Sequence, residues 1–251
     1  FSQMASKPKK VRLDVALVER GMAESRARAQ ALIMAGLVYR NTHRLDKASI
    51  TVTEGDELEL KGRDHPWVSR GGVKLAHGLE HFGFDATDKI CIDVGCSTGG
   101  FTDVLLNAGA TKVYAVDVGH GQLDWKLRTD DRVEVLEKTN ARHLTREQIP
   151  DPIDAVVCDA SFIGLKTVLP AAMSLAKPGS FLIALIKPQF EVGKGHVGKG
   201  GVVRDPELHQ MVCDDIEVWL TNDTDWTVTG IEKSPITGPE GNVEFLIGAR
   251  L

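Results

Sequence analysis

The stretch "IDVGCSTGGFTDVLL", from Ile92 to Leu106, predicts the fold of most of this chain. An apolar run ends in an acid, a run of small residues follows, and an apolar stretch at helical spacing comes next, which is the order strand, turn, helix. In a parallel sheet flanked by helices, such a turn lies at the carboxyl end of its strand, where ligands bind. Small residues let a ligand approach the backbone closely, although tight packing of the strand against the helix would require them too.

Similar apolar runs recur after about residue 71, with helical segments between most of them. Their continuous apolar character is typical of strands that are buried on both faces of a parallel sheet. The runs are "KICIDVG", "KVYAVDVG", "VEVLE", "DAVVCDA", "SFLIALIKP", "TVTGIEKS" and "VEFLIGARL". We therefore predict an α/β domain of the doubly wound, Rossmann-like type, with its ligand site at the carboxyl ends of the strands.

The spacing of the small residues indicates the ligand. Ser97 stands where a dinucleotide motif counted from Gly95 has its second glycine, and the GK[ST] sequence of a phosphate-binding loop is lacking. A second acid, Asp117, ends the next strand in "VYAVD", where its carboxylate could accept both hydroxyls of a ribose. An acid, a small-residue turn and a second acid favour S-adenosylmethionine, a methyl donor, as the cofactor.

Two further residues are candidates for this cofactor site. Asn140 follows the strand "VEVLE" and could bond the adenine amine, although a turn-forming role explains it almost as well. Phe162 could support the cofactor or belong to the core. The full set of expected cofactor contacts is Asp93, Gly95, Ser97, Thr98, Gly99, Gly100, Phe101, Asp117, Asn140 and Phe162.

The N-terminal part of the chain has a different character. "LDVALVER" and "ESRARAQALIMAG" predict two helices, and "LVYRN", "ASITV" and "DELEL" predict a small antiparallel sheet. Residues 1–50 contain ten Lys and Arg against four Asp and Glu, whereas the whole chain has a net charge of −5. A basic module joined to an acidic one favours a polyanion as the partner of the first, with a merely solvated charged surface as the alternative.

Composition excludes several classes of protein. The chain is 42% apolar and 26% charged, which is typical of a globular protein, and its apolar runs are shorter than the roughly 20 residues of a membrane-spanning helix. Its four cysteines form no CxxC pair. We therefore expect reduced thiols, no metal site and no membrane contact, in a monomeric cytoplasmic protein without an N-terminal signal peptide.

Several motifs in order resemble one known family. "WVSRGGVKL", "DVGCSTGGFTDVLL", "AVDVGHGQLDWKLR", "CDASFIGL", "LIKPQFEVG" and "GPEGNVEFL" are similar to the TlyA-type proteins, which also carry the name haemolysin A. These are FtsJ-like ribose 2'-O-methyltransferases of ribosomal RNA. The resemblance implies an alpha-L RNA-binding domain (residues 8–62), a linker (63–70), a methyltransferase domain (71–251), and ribosomal RNA, with cytidine as the target, or ribosomal subunits as partners.

The resemblance also implies a catalytic set. The family's Lys-Asp-Lys-Glu residues correspond to Lys74, Asp159, Lys187 and Glu244. A ribose hydroxyl is a very weak acid, so its methylation needs a base, and a lysine serves only as the free amine. We expect burial and the neighbouring Lys74 to lower the pKa of Lys187, while the two acids orient the amines and the hydroxyl.

Exposed basic residues are candidates for RNA contacts. Those that we expect to face phosphates are Arg12, Arg26, Arg28, Arg70, Lys194 and Lys199. A neighbouring arginine, Arg20, could instead complement the end of its helix. The glycine-rich stretch 187–205 predicts a long loop, either a mobile lid that touches RNA or a disordered segment.

Three other functions remain as alternatives at this point. A small-molecule methyltransferase would not need the basic N-terminal module. A membrane-active haemolysin would need an exposed amphipathic or spanning segment, which the sequence does not contain. A ribosome-assembly factor with an inactive methyltransferase domain would not need all four residues of the catalytic set.

Overall fold

A computed structural model describes residues 6–62 and 65–251 of the chain. The chain divides into two compact units, one comprising Phe1–Pro66 with Gly238–Gly241 and the other Trp67–Thr237 with Asn242–Leu251. The first two residues of the expected linker, 63 and 64, lie outside the described residues. We describe each unit by itself.

The first unit consists of two short helices and short strands. Its elements are β1 (Lys10–Arg12), α1 (Leu13–Glu19), α2 (Arg26–Met34), β2 (Val38–Arg40), β3 (His43–Arg44), β4 (Thr51–Thr53) and β5 (Leu58–Leu60). Strands β1 and β4 pair with each other, and β2 pairs with both β3 and β5, all antiparallel. Both predicted helices are confirmed, and the Ser25 hydroxyl caps α2 by accepting a hydrogen bond from the Arg28 amide at 3.1 Å. Sequence patterns missed β1 and β3, which have only three and two residues.

A buried carboxylate organises the basic side chains of this unit. Asp14 is fully buried at the start of α1. Its oxygens accept hydrogen bonds from Arg12 at 3.1 Å, Arg26 at 3.2 Å and Gln30 at 2.9 Å. The hydrogen bond from Arg12 is the main cause that holds the pKa of Asp14 well below its usual range. Two of the expected RNA-contacting arginines therefore also have a structural role.

We expect the Asp14→Ala variant to lower the local stability of α1 and α2 by about 2 kcal/mol, because three donors lose their buried acceptor while the arginines stay partly hydrated. Because the carboxyl pKa is lowered by folding, this contribution is present above about pH 4 and is lost as the pH falls below it. Native-state hydrogen exchange of the α1 and α2 amides measures the effect. The exposed Asp46 is the matched control, and an equal loss in Asp46→Ala would contradict the role of Asp14.

The second unit alternates strands and helices. Its elements are α3 (Gly71–Phe82), β6 (Ile90–Val94), α4 (Gly100–Asn107), β7 (Lys112–Val116), α5 (Trp125–Arg128), β8 (Val133–Leu136), β9 (Ile153–Cys158), α6 (Leu165–Ser174), β10 (Ala176–Ile186), α7 (Pro188–Glu191), α8 (Pro206–Asp223), β11 (Thr227–Lys233) and β12 (Phe245–Arg250). All seven strands that the sequence predicted are present in this described part of the chain.

These strands form one sheet in the order β11-β12-β10-β9-β6-β7-β8. The pairs from β10 through β9, β6 and β7 to β8 are parallel, whereas β12 lies antiparallel between β10 and β11. Leucines of helices α3 and α4 pack on one face of the sheet, and apolar residues of α6 and α8 pack on the other. Each face therefore has its own apolar core. The predicted doubly wound α/β architecture is confirmed, and the carboxyl ends of β6, β7, β9 and β10 lie along one edge.

Part of the expected linker packs on this second unit. The Val68 amide donates to Asp103 at 2.9 Å, which joins the segment before α3 to helix α4. The side chain of Trp67 covers Gly72, where an added Cβ would lie 2.5 Å from the indole. Residues 67–70 therefore belong to the second unit, because the hydrogen bond to the buried Asp103 and the packing of Trp67 on Gly72 fix them in place.

Candidate active site

Strand pairing brings three of the four predicted catalytic residues to one edge of the sheet. Asp159 directly follows β9 and Lys187 directly follows β10, and these two strands are parallel neighbours. Glu244 directly precedes β12, whose first residue pairs with the last residue of β10. Because β12 runs antiparallel, its beginning meets the end of β10, and Glu244 therefore lies beside the end that carries Lys187. Lys74 is supplied by α3.

The four residues form two ion pairs. The Lys74 ammonium donates to Glu244 Oε1 at 2.7 Å, and both side chains are buried. The Lys187 ammonium lies 2.5 Å from Asp159 Oδ1 and is also buried. Away from water, each lysine ammonium is stabilised by the carboxylate that it contacts. The two ion pairs therefore hold both amines in defined positions.

The protonation of Lys187 differs from the sequence-based expectation. Burial lowers the pKa of this ammonium, as predicted, but the carboxylates of Asp159 and Glu244 outweigh burial and raise the pKa above its usual value. The expectation of a lowered pKa was therefore wrong for the protein without substrate. The sequence showed the apolar run before Lys187 but not the two carboxylates that strand pairing brings to it.

A cavity of about 290 Å³ adjoins this cluster at the carboxyl ends of β6, β7 and β9. This volume is close to the lower end of the range of small-molecule sites. Its walls are partly apolar, and its polar groups include the carboxylates of Asp117 and Asp159. Lining residues are Val94, Gly95, Ser97, Val116, Asp117, Val118, Gln122, Thr139, Asn140, Ala141, Asp159, Ala160, Ser161, Phe162, Ile163 and Val168.

Comparison with known proteins identifies the family. The family described as FtsJ-like methyltransferase matches residues 67–251, and the S4 domain family matches residues 11–58. The chain belongs to the FtsJ-like methyltransferases. The predicted enzyme class, the cofactor S-adenosylmethionine and the N-terminal RNA-binding module are thereby confirmed.

Individual relatives cover nearly the whole chain. The chain is 46% identical over 243 residues to the 16S/23S rRNA (cytidine-2'-O)-methyltransferase TlyA of Mycobacterium tuberculosis, which covers 96% of this chain and 90% of that protein. It is 40% identical over 237 residues to Hemolysin A of Brachyspira hyodysenteriae, with coverage of 94% and 98%. A solved structure from Streptococcus thermophilus, provisionally described as a hemolysin, is 42% identical with a TM-score of 0.76 and coverage of 98% and 89%.

The cavity of this FtsJ-like methyltransferase includes six of the predicted site residues. Five of the expected cofactor contacts line it, namely Gly95, Ser97, Asp117, Asn140 and Phe162, together with Asp159 from the catalytic set. The other five, Asp93, Thr98, Gly99, Gly100 and Phe101, are not among its lining residues. Phe101 is buried in the core, and Thr98 is exposed.

Several small residues of the turn are required by protein packing. A Cβ on Gly95, whose φ is +78°, would lie 2.7 Å from the Asp159 carbonyl oxygen. On Gly99 it would lie 2.2 Å from Leu127, and on Gly100 it would lie 2.7 Å from the Gly72 amide. Close packing of protein segments, which we considered as an alternative reason for the small residues, therefore explains three of the glycines. Gly95 is one of them and also lines the cavity.

The two acids of the predicted cofactor site, Asp93 in β6 and Asp117 directly after β7, have different surroundings. Asp117 holds its carboxylate at the cavity wall by accepting hydrogen bonds from the Ser97 and Gly119 amides, each at 2.8 Å. Asp93 is fully buried, accepts a hydrogen bond from Thr102 at 2.8 Å, and does not line the cavity. Burial is the main cause that raises the pKa of Asp93 to about 7.

Asn140 and Phe162 reach the cavity by different local structures. The Asn140 side-chain oxygen accepts a hydrogen bond from the Arg142 amide at 3.0 Å, so this residue has the turn-forming role that we considered as an alternative. Phe162 is 89% exposed and has a φ of +63°, a left-handed conformation that is unusual for an aromatic residue. Its ring contacts that of Phe190, with a centroid separation of 5.0 Å.

The glycine-rich segment after Lys187 has more structure than the sequence predicted. It begins with the short helix α7 and continues through two 3-10 turns at 194–196 and 199–201. Asn242 anchors its far end by accepting from the Val203 amide at 3.0 Å and donating to the Gly201 carbonyl at 2.9 Å. The expected RNA contacts Lys194 and Lys199 are exposed in the part of the segment that precedes this anchor.

The remaining basic candidates lie in varied surroundings. Arg20 donates to the carbonyls of Thr53 and Asp56, so it supports the loop between β4 and β5. Arg28 is partly buried on α2. Arg70 is half-buried immediately before α3, and burial lowers the pKa of its guanidinium.

Two polar residues near the catalytic set escaped the sequence analysis. The Ser161 hydroxyl accepts a hydrogen bond from Lys187 at 3.2 Å, and the Gln189 amide donates to Glu244 Oε2 at 3.5 Å. Both are close in sequence to a catalytic candidate, within "CDAS" and "LIKPQ". Proximity to those motifs was the available signal, but only the structure shows that each contacts a charged side chain.

Proposed function

We propose that this protein transfers a methyl group from S-adenosylmethionine to a ribose 2'-hydroxyl of ribosomal RNA, with cytidine as the target nucleotide. The observation that carries the proposal is the pair of Lys–carboxylate contacts, in which both lysines are buried and one carboxylate, that of Asp159, lines the cavity. Such an arrangement places a lysine amine, held by a carboxylate, where it can act as a base. The methylation of a weakly acidic hydroxyl requires such a base.

The cavity residues fit the cofactor. S-adenosylmethionine supplies an electrophilic methyl group on a sulfonium centre. The fixed carboxylate of Asp117 is suited to hydrogen bonds with the ribose hydroxyls, because its two oxygens are positioned by backbone amides and retain further acceptor capacity. Val116 and Val168 offer apolar surface to a purine ring. Asn140 carries amide groups that could bond to the edge of that ring.

Lys187 is the residue that we assign as the base. Its Nζ receives the proton of the 2'-hydroxyl once it is present as the free amine, and Asp159 and Ser161 hold it in place. Glu244 and Lys74 form the second pair, which positions the acceptor and adds negative charge near Lys187. Because the pKa of Lys187 is raised, the free amine is the minor species at neutral pH.

Features of both units support an RNA substrate. The S4 domain contains most of the basic residues of the first 50 positions. In the second unit, the exposed ring of Phe162 offers a surface on which a nucleotide base can stack. Relatives named as rRNA (cytidine-2'-O)-methyltransferases share 46% and 37% identity with this chain over 96% and 82% of its length, which supports ribosomal cytidine as the target.

The name of one relative, Hemolysin A, suggests a second function. Across residues 6–62 and 65–251, no helix has both the length and the apolar character that crossing a bilayer demands.

The test is to incubate the full-length protein with S-adenosylmethionine and unmodified ribosomal subunits or free ribosomal RNA, and to map 2'-O-methyl groups by reverse transcription at low nucleotide concentration. We expect new stops at one or a few cytidines, absent without cofactor. Base methylation, or methylation of small molecules only, would overturn the proposed reaction. Modification of another nucleotide would overturn only the cytidine assignment.

A further inference from the structure

A second cluster of potential ligands lies at the edge strand of the sheet and contains none of the four catalytic candidates. His77, His81 and Glu232 each place one ligand atom so that all three atoms lie within 4.8 Å of one another. His77 and His81 are four residues apart on α3, and their rings are stacked with a centroid separation of 5.9 Å. Residues at this spacing share one face of a helix, so both imidazoles project to the same side.

The third ligand comes from the sheet. Glu232 is on β11, the edge strand, and its carboxylate lies 2.8 Å from Nδ1 of His81. In the antiparallel pairing of β11 with β12, Glu232 is opposite Leu246, a residue of the apolar core beneath α3. Cross-strand partners share a face of the sheet, so Glu232 lies on the face that α3 covers.

Close packing holds the helix against this edge. Gly78, between the two histidines, allows α3 to approach the sheet, because an added Cβ would already lie 3.3 Å from Ile183. Phe82, at the end of α3, packs over Gly248, where an added Cβ would lie 2.7 Å from the ring. The helix cannot move far without losing these contacts, so the three ligand groups are held near one another before any ion binds.

We propose that His77, His81 and Glu232 form a binding site for a divalent transition-metal ion of the zinc type. Two imidazoles and one carboxylate are a ligand set that zinc accepts, with water completing a tetrahedron. Donor atoms at 2.0–2.2 Å from such an ion are about 3.3 Å apart. The most separated pair of ligand atoms therefore closes by at most roughly 1.5 Å, and the His81–Glu232 pair, now at 2.8 Å, opens by roughly 0.5 Å. Torsions of the partly exposed side chains of His81 and Glu232 are sufficient for this change.

The bound ion joins α3 to β11. Helix α3 also carries Lys74, so the ion stabilises the element that supplies one of the catalytic candidates. The expectation of no metal rested on cysteine spacing, and all four cysteines are free and buried. The cluster leaves no local sequence pattern, because its carboxylate is far from the histidines along the chain and approaches them only through the packing of α3 on the sheet.

The test uses the full chain after removal of metals by a chelator, titrated with zinc at pH 7.5 against a chromophoric competitor, with thermal unfolding as a second measurement. We expect one zinc ion per chain and a rise in melting temperature with zinc, because an ion that binds the folded state stabilises it. Magnesium, which prefers oxygen ligands, should have no effect at the same concentration.

The variants His77→Asn, His81→Asn and Glu232→Gln should each weaken zinc binding at least tenfold and reduce the zinc-dependent rise in melting temperature. His143→Asn is the matched control, since His143 is an exposed histidine of the same unit outside the cluster. Melting curves of the metal-free proteins show whether each variant is folded. If one variant does not fold, the other two still test the proposal. The proposal is overturned if wild-type protein binds no zinc, or if the folded variants bind it as tightly as wild type.

Discussion

Replacing Lys187 with alanine or arginine should reduce the single-turnover rate of RNA methylation by at least about 10²-fold, while the affinity for S-adenosylmethionine stays within a factor of two or three. Alanine removes the base. Arginine keeps the positive charge beside Asp159 but cannot release its proton near neutral pH, so it should fail as well. Isothermal titration with S-adenosylhomocysteine measures the binding, and incorporation of labelled methyl groups measures the rate.

The matched control is the Lys177→Ala variant. Lys177 and Asp154 form a 2.8 Å ion pair on the same two strands, β10 and β9, towards their amino ends. Removing a lysine there tests the loss of a strand-linking ion pair without touching the cavity, and the variant should retain nearly full activity. Wild-type rates in Lys187→Arg would show that Lys187 only positions the substrate.

The raised pKa of Lys187 gives this reaction a specific pH dependence. Below that pKa, the fraction of free amine rises tenfold with each pH unit. The logarithm of the single-turnover rate should therefore increase with a slope of about one from pH 6 to pH 9 without reaching a plateau. A plateau near pH 7 would mean that another group is the base, or that substrate binding separates Lys187 from its carboxylates.

Replacing Gly95 with alanine should lower the free energy of unfolding by about 3 kcal/mol and weaken cofactor binding at least tenfold. The new Cβ would lie 2.7 Å from the carbonyl oxygen of Asp159 and 3.1 Å from Cα of Ala160, and such backbone atoms can move only if β6 and β9 shift. The same shift would displace the cavity wall that Gly95 and Asp159 share. Denaturant unfolding and cofactor titration measure the two effects.

Gly83 provides the control for backbone conformation. Its φ of +68° is close to the +78° of Gly95, but an added Cβ would meet no atom within 4 Å. The Gly83→Ala variant should therefore lose only about 1 kcal/mol, from left-handed strain, and bind the cofactor normally. Equal losses in both variants would show that the conformation, rather than close packing, makes glycine necessary at position 95.

The seven predicted strands of the second unit were all found because most of them coincide with an apolar run of several residues, and β8 and β11 with an alternating pattern. Such runs report burial directly, so a reader of the sequence can recognise them without knowing their neighbours. The very short strands β1 and β3 could not be recognised in this way, since two or three residues do not establish a period. The glycine-rich segment after Lys187 was predicted as a loop because the buried anchor from Asn242 is distant in sequence.

The candidate site shows a similar division. Motif resemblance named Lys74, Asp159, Lys187 and Glu244, and the structure places them in two ion pairs. Their catalytic roles stay predictions. The resemblance did not show which amine pairs with which acid, and the expected pKa of Lys187 had the wrong direction for that reason.

Periodicity, turn residues and charge are properties of neighbouring residues, and they were sufficient to predict an α/β domain with a ligand site at its strand ends behind a basic module. The resemblance of several motifs to a known family added the expectation of RNA methylation. Three-dimensional packing decided the remaining features: the carboxylates around Lys187, the close contacts of Gly95 and Gly99, and the cluster of His77 with Glu232. Each of these joins residues that are distant in sequence. Electrostatic and steric effects depend on distance in space, which strand order and helix packing set and which no local pattern records.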